Sequence, residues 1–198
     1  MITGIILASG LSRRMAGQDK LLLPVNGTPL VERVMQAADA SRLDDILLVY
    51  QNPAVCELAG NYRITTVYNP DAQQGQSASI KAGVRAAAPD TGAYMFLTGD
   101  QPRLDTATIN LLIDAWQTHK ENIIIPVYGG RRGSPVVFPA LLRDKLLELV
   151  GDTGGRAVIE QAPEMVYCVD MPDADAGIDI DTPEEYDGLL QAQGMKLP

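Results

Sequence analysis

The feature that most constrains this chain is an apolar segment at its start that runs directly into a small, cationic loop. Residues 2–8 read ITGIILA and are followed by a Ser-Gly pair and then by Arg13, Arg14 and Lys20. A short continuous apolar run bounded by turn residues is typical of a buried parallel strand. Small residues after such a strand let backbone N–H groups approach a ligand, and the cations suit a polyphosphate. The segment therefore predicts a ligand-binding loop at the carboxyl end of the first strand.

Strand and helix patterns alternate along the rest of the chain. Further strands are predicted at 45–50, 64–68, 94–98, 123–127 and 166–170. Such alternation predicts an α/β fold with a three-layer, Rossmann-like, mostly parallel sheet and helices on both faces. A hairpin at 129–138 predicts a small mixed β extension, which we place on one edge of the sheet. We expect residues 1–198 to form a single domain.

Local signals add finer expectations. Thr28 is expected to cap the first helix, with Pro29 at its first position. Thr182 and Glu185 form a capping-box pattern that predicts the start of a final helix. Cys56 and Cys168 show no motif spacing and are expected to be buried thiols in a reducing compartment.

Composition excludes some classes of function. The net charge of −9 argues against a general nucleic-acid or anionic-membrane surface, and it makes the cationic loop stand out. The apolar runs fall short of the roughly 18 residues that a membrane span needs. Because the sequence also shows no secretion signal, we expect a cytoplasmic protein.

The cationic loop differs from the two commonest phosphate-binding motifs. The pattern G-x-G-x-x-G is absent, and the P-loop spacing fails because no Ser or Thr follows Lys20. A solvated basic connection is the simpler alternative. A nucleotide-binding loop is favoured by the order of the segment, which is a strand, small residues, Arg-Arg, Gly and Lys, and then the apolar residues LLLP.

Residues 7–20, LASGLSRRMAGQDK, resemble the signature L-A-[AG]-G-x-S-x-R-M-G…K of the molybdenum-cofactor nucleotidyltransferases. Ser9 and Ala16 depart from the commonest residues of that pattern, although both stay small. The resemblance covers nearly the whole chain and implies a nucleotide-diphospho-sugar transferase-like fold. It also implies nucleotidyl transfer to a phosphorylated pterin. By the same resemblance, the nucleotide contacts the backbone of Leu7, Ala8, Ser9 and Gly10.

Carboxylates from two distant segments are the predicted metal ligands. Asp100 directly follows a predicted strand, within Gly-Asp-Gln-Pro, and a hard oxygen there suits Mg²⁺, although it could simply cap a turn. Asp179 and Asp181 point the same way on an extended segment. The resemblance sets a similar segment beside the metal. We expect Asp179 to be the second metal ligand. Asp181 is the next candidate, because its charge can also be explained by the positive end of the helix that follows it.

Two further groups complete the predicted site. Asn69, Gly75 and Ser77 surround the start of a helix whose free N–H groups could hold a ligand, although Ser77 could equally be an ordinary N-cap. By resemblance this region holds the base and ribose. Resemblance to the cytidylyl type also assigns the pterin acceptor to segments G-x-R-G-x-P and G-D-x-G-x-R. The predicted acceptor-binding residues are Gln101, Arg132, Ser134 and Arg156.

The implied reaction needs no general base, because the attacking acceptor phosphate is already an anion. Arg14, Lys20 and Asp100 are the predicted catalytic residues, with Mg²⁺ as the cofactor. Ser9 and the Gly-Asp-Gln-Pro segment resemble the cytidylyl branch, whereas the spacing from Met15 to Lys20 resembles the guanylyl branch. We expect CTP and molybdopterin as substrates, with GTP as the alternative nucleotide. A transient contact with a molybdoenzyme or its chaperone is possible in this scheme, and a non-catalytic cofactor carrier is the alternative function.

Overall fold

The structure, a computed structural model, describes residues 1–10 and 19–192 of the chain. Strands and helices alternate along it in chain order, with short 3₁₀ turns between some of them. The strands are β1 (Ile2–Ala8), β2 (Pro24–Val25), β3 (Thr28–Pro29), β4 (Asp45–Tyr50), β5 (Thr65–Tyr68), β6 (Ala93–Thr98), β7 (Ile123–Tyr128), β8 (Arg131–Arg132), β9 (Val136–Pro139) and β10 (Val166–Asp170). The helices are α1 (Leu30–Asp39), α2 (Pro53–Leu58), α3 (Gln76–Ala86), α4 (Thr106–Thr118), α5 (Arg143–Glu148), α6 (Arg156–Gln161) and α7 (Pro183–Ala192).

The main sheet has the strand order β10-β7-β9-β6-β1-β4-β5, with β8 paired to β7. Strands β6, β1, β4 and β5 are parallel to one another, as are β10 and β7. Strand β9 runs antiparallel between β6 and β7. The predicted mostly parallel fold is therefore confirmed. The antiparallel return strand, however, lies inside the sheet rather than on its edge.

Two apolar layers cover the faces of this sheet. One contains residues of α1, α2 and α4, such as Val34, Val55 and Ile109, and the other contains residues of α3, α5 and α6. Strand β1 contributes side chains to both layers, because Ile6 faces the first layer and Ile5 faces the second. Its continuous apolar run thus reflects burial on both faces, as the sequence predicts.

The first helix begins later than predicted. Thr28 and Pro29 do not start α1 but pair as β3 with β2 through a tight turn at Asn26-Gly27, where φ is +53° and +79°. Asn-Gly with positive φ at both residues is the preferred two-residue hairpin turn. The Thr-Pro signal for a helix start was therefore overridden by the hairpin signal immediately before it.

The final helix begins as predicted. Glu185 N donates to Thr182 Oγ1 at 3.2 Å, and Thr182 N donates to Glu185 Oε2 at 3.0 Å, which is a capping box. The prediction for the cysteines was wrong in part, because Cys168 is exposed on β10 and Cys56 is only half-buried. Within the described residues, each helix is too short or too polar to cross a membrane.

Candidate functional site

A cavity of about 720 Å³ opens at the carboxyl ends of the central parallel strands. It lies beside the end of β1, the start of α3 and the turn that follows β6. Among its lining residues are Ser9, Lys20, Gln76, Ser79, Asp100 and Asp181. The cavity is therefore where the sequence predicts a ligand site in a sheet of this kind.

The pairing of β1 with β6 brings the first loop and the Asp100 turn together. Leu7 lies opposite Thr98 in the parallel register, and Gly99 N donates to Leu7 O at 3.1 Å. Because both strands end at the same edge, Asp100 emerges next to the residues that follow Ala8. The two predicted loops therefore form one wall of the cavity.

Lys20 is the centre of the charged end of the cavity. Its Nζ donates to Asp100 Oδ2 at 2.5 Å and to Asp181 Oδ1 at 2.7 Å, and the Lys20 and Asp100 side chains are only 14% and 17% exposed. Burial opposes its charge, but the carboxylates of Asp100 and Asp181 outweigh that effect and raise the pKa of Lys20. Lys20 is therefore held as a cation in the cavity wall.

The C-terminal acidic segment is held at the same place by a backbone contact. Ile180 N donates to Asp100 O at 3.0 Å, and Thr98 Oγ1 lies 3.4 Å from Asp179 Oδ1, to which it donates. Loss of hydration, together with the nearby Asp100 and Asp181 carboxylates, raises the pKa of Asp179 to about 6. The structure therefore brings Lys20, Asp100, Asp179 and Asp181 together, as the sequence predicts.

The donor set fits a divalent cation that keeps other ligands. Asp100 Oδ1 is buried and has no hydrogen-bond partner among the described residues, which is costly unless a cation or donor occupies the adjacent space. In residues 1–10 and 19–192 there is no group of three His, Cys, Asp or Glu side chains arranged to hold a metal. Mg²⁺ is usually bound by one or two carboxylates, with water and phosphate oxygens as its other ligands. The pair Asp100 and Asp179 fits that mode.

A second part of the cavity, here called its neutral end, is built around three uncharged polar side chains. Ser9 Oγ and Ser79 Oγ lie 2.6 Å apart, and Asn69 Nδ2 donates to each of them at 3.2 Å. Asp71 N donates to Asn69 Oδ1 at 3.1 Å, which fixes the orientation of the amide. Both amide hydrogens and one hydroxyl hydrogen are used within the cluster. One serine hydroxyl is left to donate into the cavity that both serines line.

The start of α3 differs from the prediction of free N–H groups. Gln76 N donates to Asp152 Oδ1 at 3.2 Å and Ser77 N donates to Gly151 O at 3.2 Å, so a distant loop caps this helix. Gly75, with φ of +95°, allows the approach, because a Cβ there would lie 2.6 Å from Gly151 O. Ser77 is buried within the helix rather than at its N-cap. A nucleotide-binding role for Gly75 and Ser77 stays a prediction.

The predicted acceptor residues do not line this cavity. Gln101 is fully buried, and Ser134 contributes its backbone carbonyl to structural hydrogen bonds. Arg132 is exposed on β8, and the 89% exposed side chain of Arg156 pairs with Glu160 one helical turn away. The predicted catalytic residue Arg14 lies outside the described residues. The structure thus gathers the charged residues, whereas Arg132 and Arg156 lie apart from them and Gln101 is buried beside Asp100.

Ser79 and Asp152 line the cavity, although neither was predicted as an individual site residue. Asp152 belongs to the G-D-x-G-x-R segment that the resemblance assigns to the acceptor. Ser79 lies among the small residues near the start of α3. Only its hydrogen bonds with Ser9 and Asn69 in the packed structure single it out. Asp152 contacts α3 from 76 positions further along the chain. A contact of that separation has no local sequence signal.

The fold and the cavity define a class of protein: an α/β nucleotide-binding protein with a lysine and carboxylates at the carboxyl edge of a parallel sheet. Residues 4–166 match the MobA-like NTP transferase domain. The chain belongs to this family of nucleotidyltransferases. The match ends before Asp179 and Asp181. The position of these two residues beside Lys20 and Thr98 is therefore given by the structure and not by the family match.

Similar proteins cover nearly the whole chain. Nicotine blue oxidoreductase of Paenarthrobacter nicotinovorans is 31% identical and aligned over 96% of both chains. Molybdenum cofactor cytidylyltransferase of Escherichia coli is also 31% identical, with 92% of each chain covered. The crystal structure of Rv0371c from Mycobacterium tuberculosis H37Rv superposes with a TM-score of 0.79 at 26% identity, covering 96% of this chain and 97% of that one.

Proposed function

We propose that this protein is a Mg²⁺-dependent nucleotidyltransferase that joins CMP from CTP to the terminal phosphate of molybdopterin and releases pyrophosphate. The observation that carries the proposal is the contact of Lys20 with the largely buried Asp100 and the half-exposed Asp181, beside an Asp100 oxygen that lacks a donor among the described residues. Such a pairing of a cation with carboxylates suits a magnesium–triphosphate better than an uncharged ligand.

The chain's own residues act by position and charge. Lys20, kept protonated by its carboxylate neighbours, stabilises the charge that develops on the departing pyrophosphate. The acceptor phosphate attacks the α-phosphorus in line, the bond to the bridging oxygen breaks, and pyrophosphate leaves. The acceptor oxygen carries no proton that must be removed. The site therefore needs no histidine or cysteine at the cavity.

Asp100 and Asp179 are the residues that would hold the metal. A bound divalent cation neutralises phosphate charge at the reacting centre. The mycobacterial relative Rv0371c has also been crystallised in complex with manganese, which supports a divalent cation in this fold. Magnesium is our choice because hard oxygen ligands and phosphates are its usual partners.

CTP is our choice of nucleotide because of the neutral end of the cavity and the E. coli relative. The Ser9, Asn69 and Ser79 cluster offers a hydroxyl donor without a charged group, which suits a nucleoside rather than a phosphate. The cytidylyltransferase of E. coli aligns with almost the whole chain. The cluster alone does not separate cytosine from guanine, since each base carries both donors and acceptors.

The decisive experiment measures pyrophosphate release. The protein is incubated with molybdopterin and Mg²⁺, and with CTP or GTP in parallel. We expect release with CTP that depends on both the pterin and the metal. A faster reaction with GTP would reverse the choice of base but keep the transferase.

A second outcome would overturn the enzyme itself. If nucleotides bind but neither of them yields pyrophosphate, the protein is a nucleotide or cofactor carrier. A redox activity, of the kind named for the Paenarthrobacter relative, would also proceed without pyrophosphate. Measuring nucleotide binding by calorimetry in the same samples separates these cases from a protein that has lost its fold.

A further inference from the structure

Gln101 joins three segments of the molecule that are far apart in sequence. Its Nε2 donates to Ser134 O at 3.4 Å and to Gly177 O at 3.2 Å, and the residue is fully buried. Ser134 belongs to the turn before β9, whereas Gly177 precedes the acidic C-terminal segment. The neighbouring Tyr128 hydroxyl also donates to Ser134 O, at 2.8 Å. One buried amide thus links the turn after β6 to both segments.

The contacts of Gln101 bear directly on Asp179. Gly177 is bonded to Gln101, and Ile180 N donates to Asp100 O at 3.0 Å. Asp179 therefore lies between two hydrogen bonds that both end on the Asp100-Gln101 pair. These bonds fix the distance between the Asp179 backbone and the turn that carries Asp100. Without the Gly177 bond, the segment could pivot about the remaining one.

Packing around Tyr128 supports the same arrangement. A Cβ on Gly177 would lie 2.4 Å from the Tyr128 ring, and a Cβ on Gly133 would lie 2.9 Å from it. The ring is therefore closely covered by backbone from the two segments that Gln101 joins. Because Gln101 uses both of its amide hydrogens in this buried junction, it has no N–H left to offer an acceptor substrate.

We propose that Gln101 is a positioning residue that sets Asp179 against Asp100 for the divalent cation, rather than a ligand of the acceptor. The proposal rests on the metal site of the proposed function. Residues that orient metal ligands through hydrogen bonds typically alter metal affinity by about 10- to 100-fold when they are replaced.

The test uses Gln101→Met, which keeps the length of the side chain but removes its hydrogen bonds. It also removes the buried Oε1, which has no donor among the described residues, and this limits the cost to folding. Mn²⁺ affinity is measured by electron paramagnetic resonance on the whole protein, without turnover. We expect Gln101→Met to weaken Mn²⁺ binding about 10-fold or more, with the KM for molybdopterin unchanged. Thr118→Ala, an exposed hydrogen-bond deletion on α4, is the matched control and should bind Mn²⁺ like the wild type.

Two results would overturn the proposal. One is wild-type Mn²⁺ affinity in folded Gln101→Met; a raised KM for molybdopterin in the same variant would make Gln101 an acceptor ligand instead. The other is wild-type protein that does not bind Mn²⁺. If Gln101→Met does not fold, Tyr128→Phe decides, since it removes one hydrogen bond of the junction and should weaken Mn²⁺ binding a few-fold; unchanged affinity would refute the proposal. Failure of pyrophosphate release alone would refute the transferase but leave this metal-binding result standing.

Discussion

The two ends of the cavity are built in different ways. At the charged end, Lys20 meets Asp100 and Asp181 across sequence separations of 80 and 161 residues. At the neutral end, three uncharged side chains share hydrogen bonds, and all three are less than 10% exposed. A nucleoside triphosphate has the same division into a charged and an uncharged part. The comparison suggests that changes at the charged end will act on turnover and those at the neutral end on nucleotide affinity.

Lys20→Ala should produce the largest effect. The variant leaves three neighbouring carboxylates without their cation and removes a group that stabilises the departing pyrophosphate. We expect kcat/KM for pyrophosphate release to fall on the order of 10²-fold or more. Lys145→Ala, an exposed lysine on α5, is the control and should keep wild-type kinetics. Wild-type turnover in folded Lys20→Ala would remove Lys20 from the reaction.

Asp179→Asn tests the electrostatics of the charged end. An unfolded aspartate has a pKa of about 3.9, and the folded value is raised to about 6. The folded protein therefore binds the extra proton between these values, so its free energy of unfolding falls as pH rises from about 4 to about 6. Asp179→Asn has no carboxylate at this position, so its free energy of unfolding should not fall for this reason.

Urea unfolding in the presence of a chelator checks this prediction. Without metal, the variant should be more stable than the wild type at pH 7, and the gap should close towards pH 4. A difference between the two proteins that stays constant over that range would contradict the raised pKa. Added Mg²⁺ should stabilise the wild type more than the variant, because only the wild type keeps both carboxylates.

Asp152→Ala tests whether the distant loop supports the neutral end. The variant removes the acceptor for Gln76 N at the start of α3. Loss of such a cap typically lowers the free energy of unfolding by about 1 kcal/mol. Asp152→Asn keeps a side-chain oxygen and should lose less in the same urea titration. Equal stability of Asp152→Ala and the wild type would show that the contact contributes nothing.

Ser9→Ala should give the smallest effect. Ser79 retains a hydroxyl at the cavity, so we expect the KM for CTP to rise only about threefold, the low end for one neutral hydrogen bond, with kcat unchanged. Thr66→Ala, an exposed change on β5, is the control. A fall in kcat with KM unchanged would break the division between the two ends.

The same contrast explains how much the sequence could predict. Parallel topology predicts that Asp100 and the loop that ends at Lys20 meet at one edge of the sheet, whereas the placement of Asp179 and Asp181 beside them followed from the family resemblance. The Ser79 hydroxyl carries no such signal, since serine is common at helix starts. The insertion of β9 between β6 and β7 was not predicted, because an apolar hairpin strand reads the same at an edge and inside a sheet.

The buried state of Gln101 was also beyond the sequence. Its place beside Asp100 suggested contact with substrate, but its surroundings are set by Tyr128, Ser134 and Gly177, which lie 27 or more positions further along the chain. Long-range contacts of this kind depend on the completed packing. They separate a residue that touches a ligand from one that only holds its neighbours in place.

The short hairpin β2–β3 and helix α7 share a small apolar cluster, in which Val25 and Leu30 pack against Ile180, Leu189 and Leu190. During synthesis, this cluster cannot form until the residues from Ile180 onward have been added, because Ile180, Leu189 and Leu190 are part of it. A fragment that ends at β10 contains the paired strands but lacks two of the three carboxylates around Lys20, those of Asp179 and Asp181. The charged end of the cavity is therefore complete only when the segment with Asp179 and Asp181 packs beside Lys20 and Asp100.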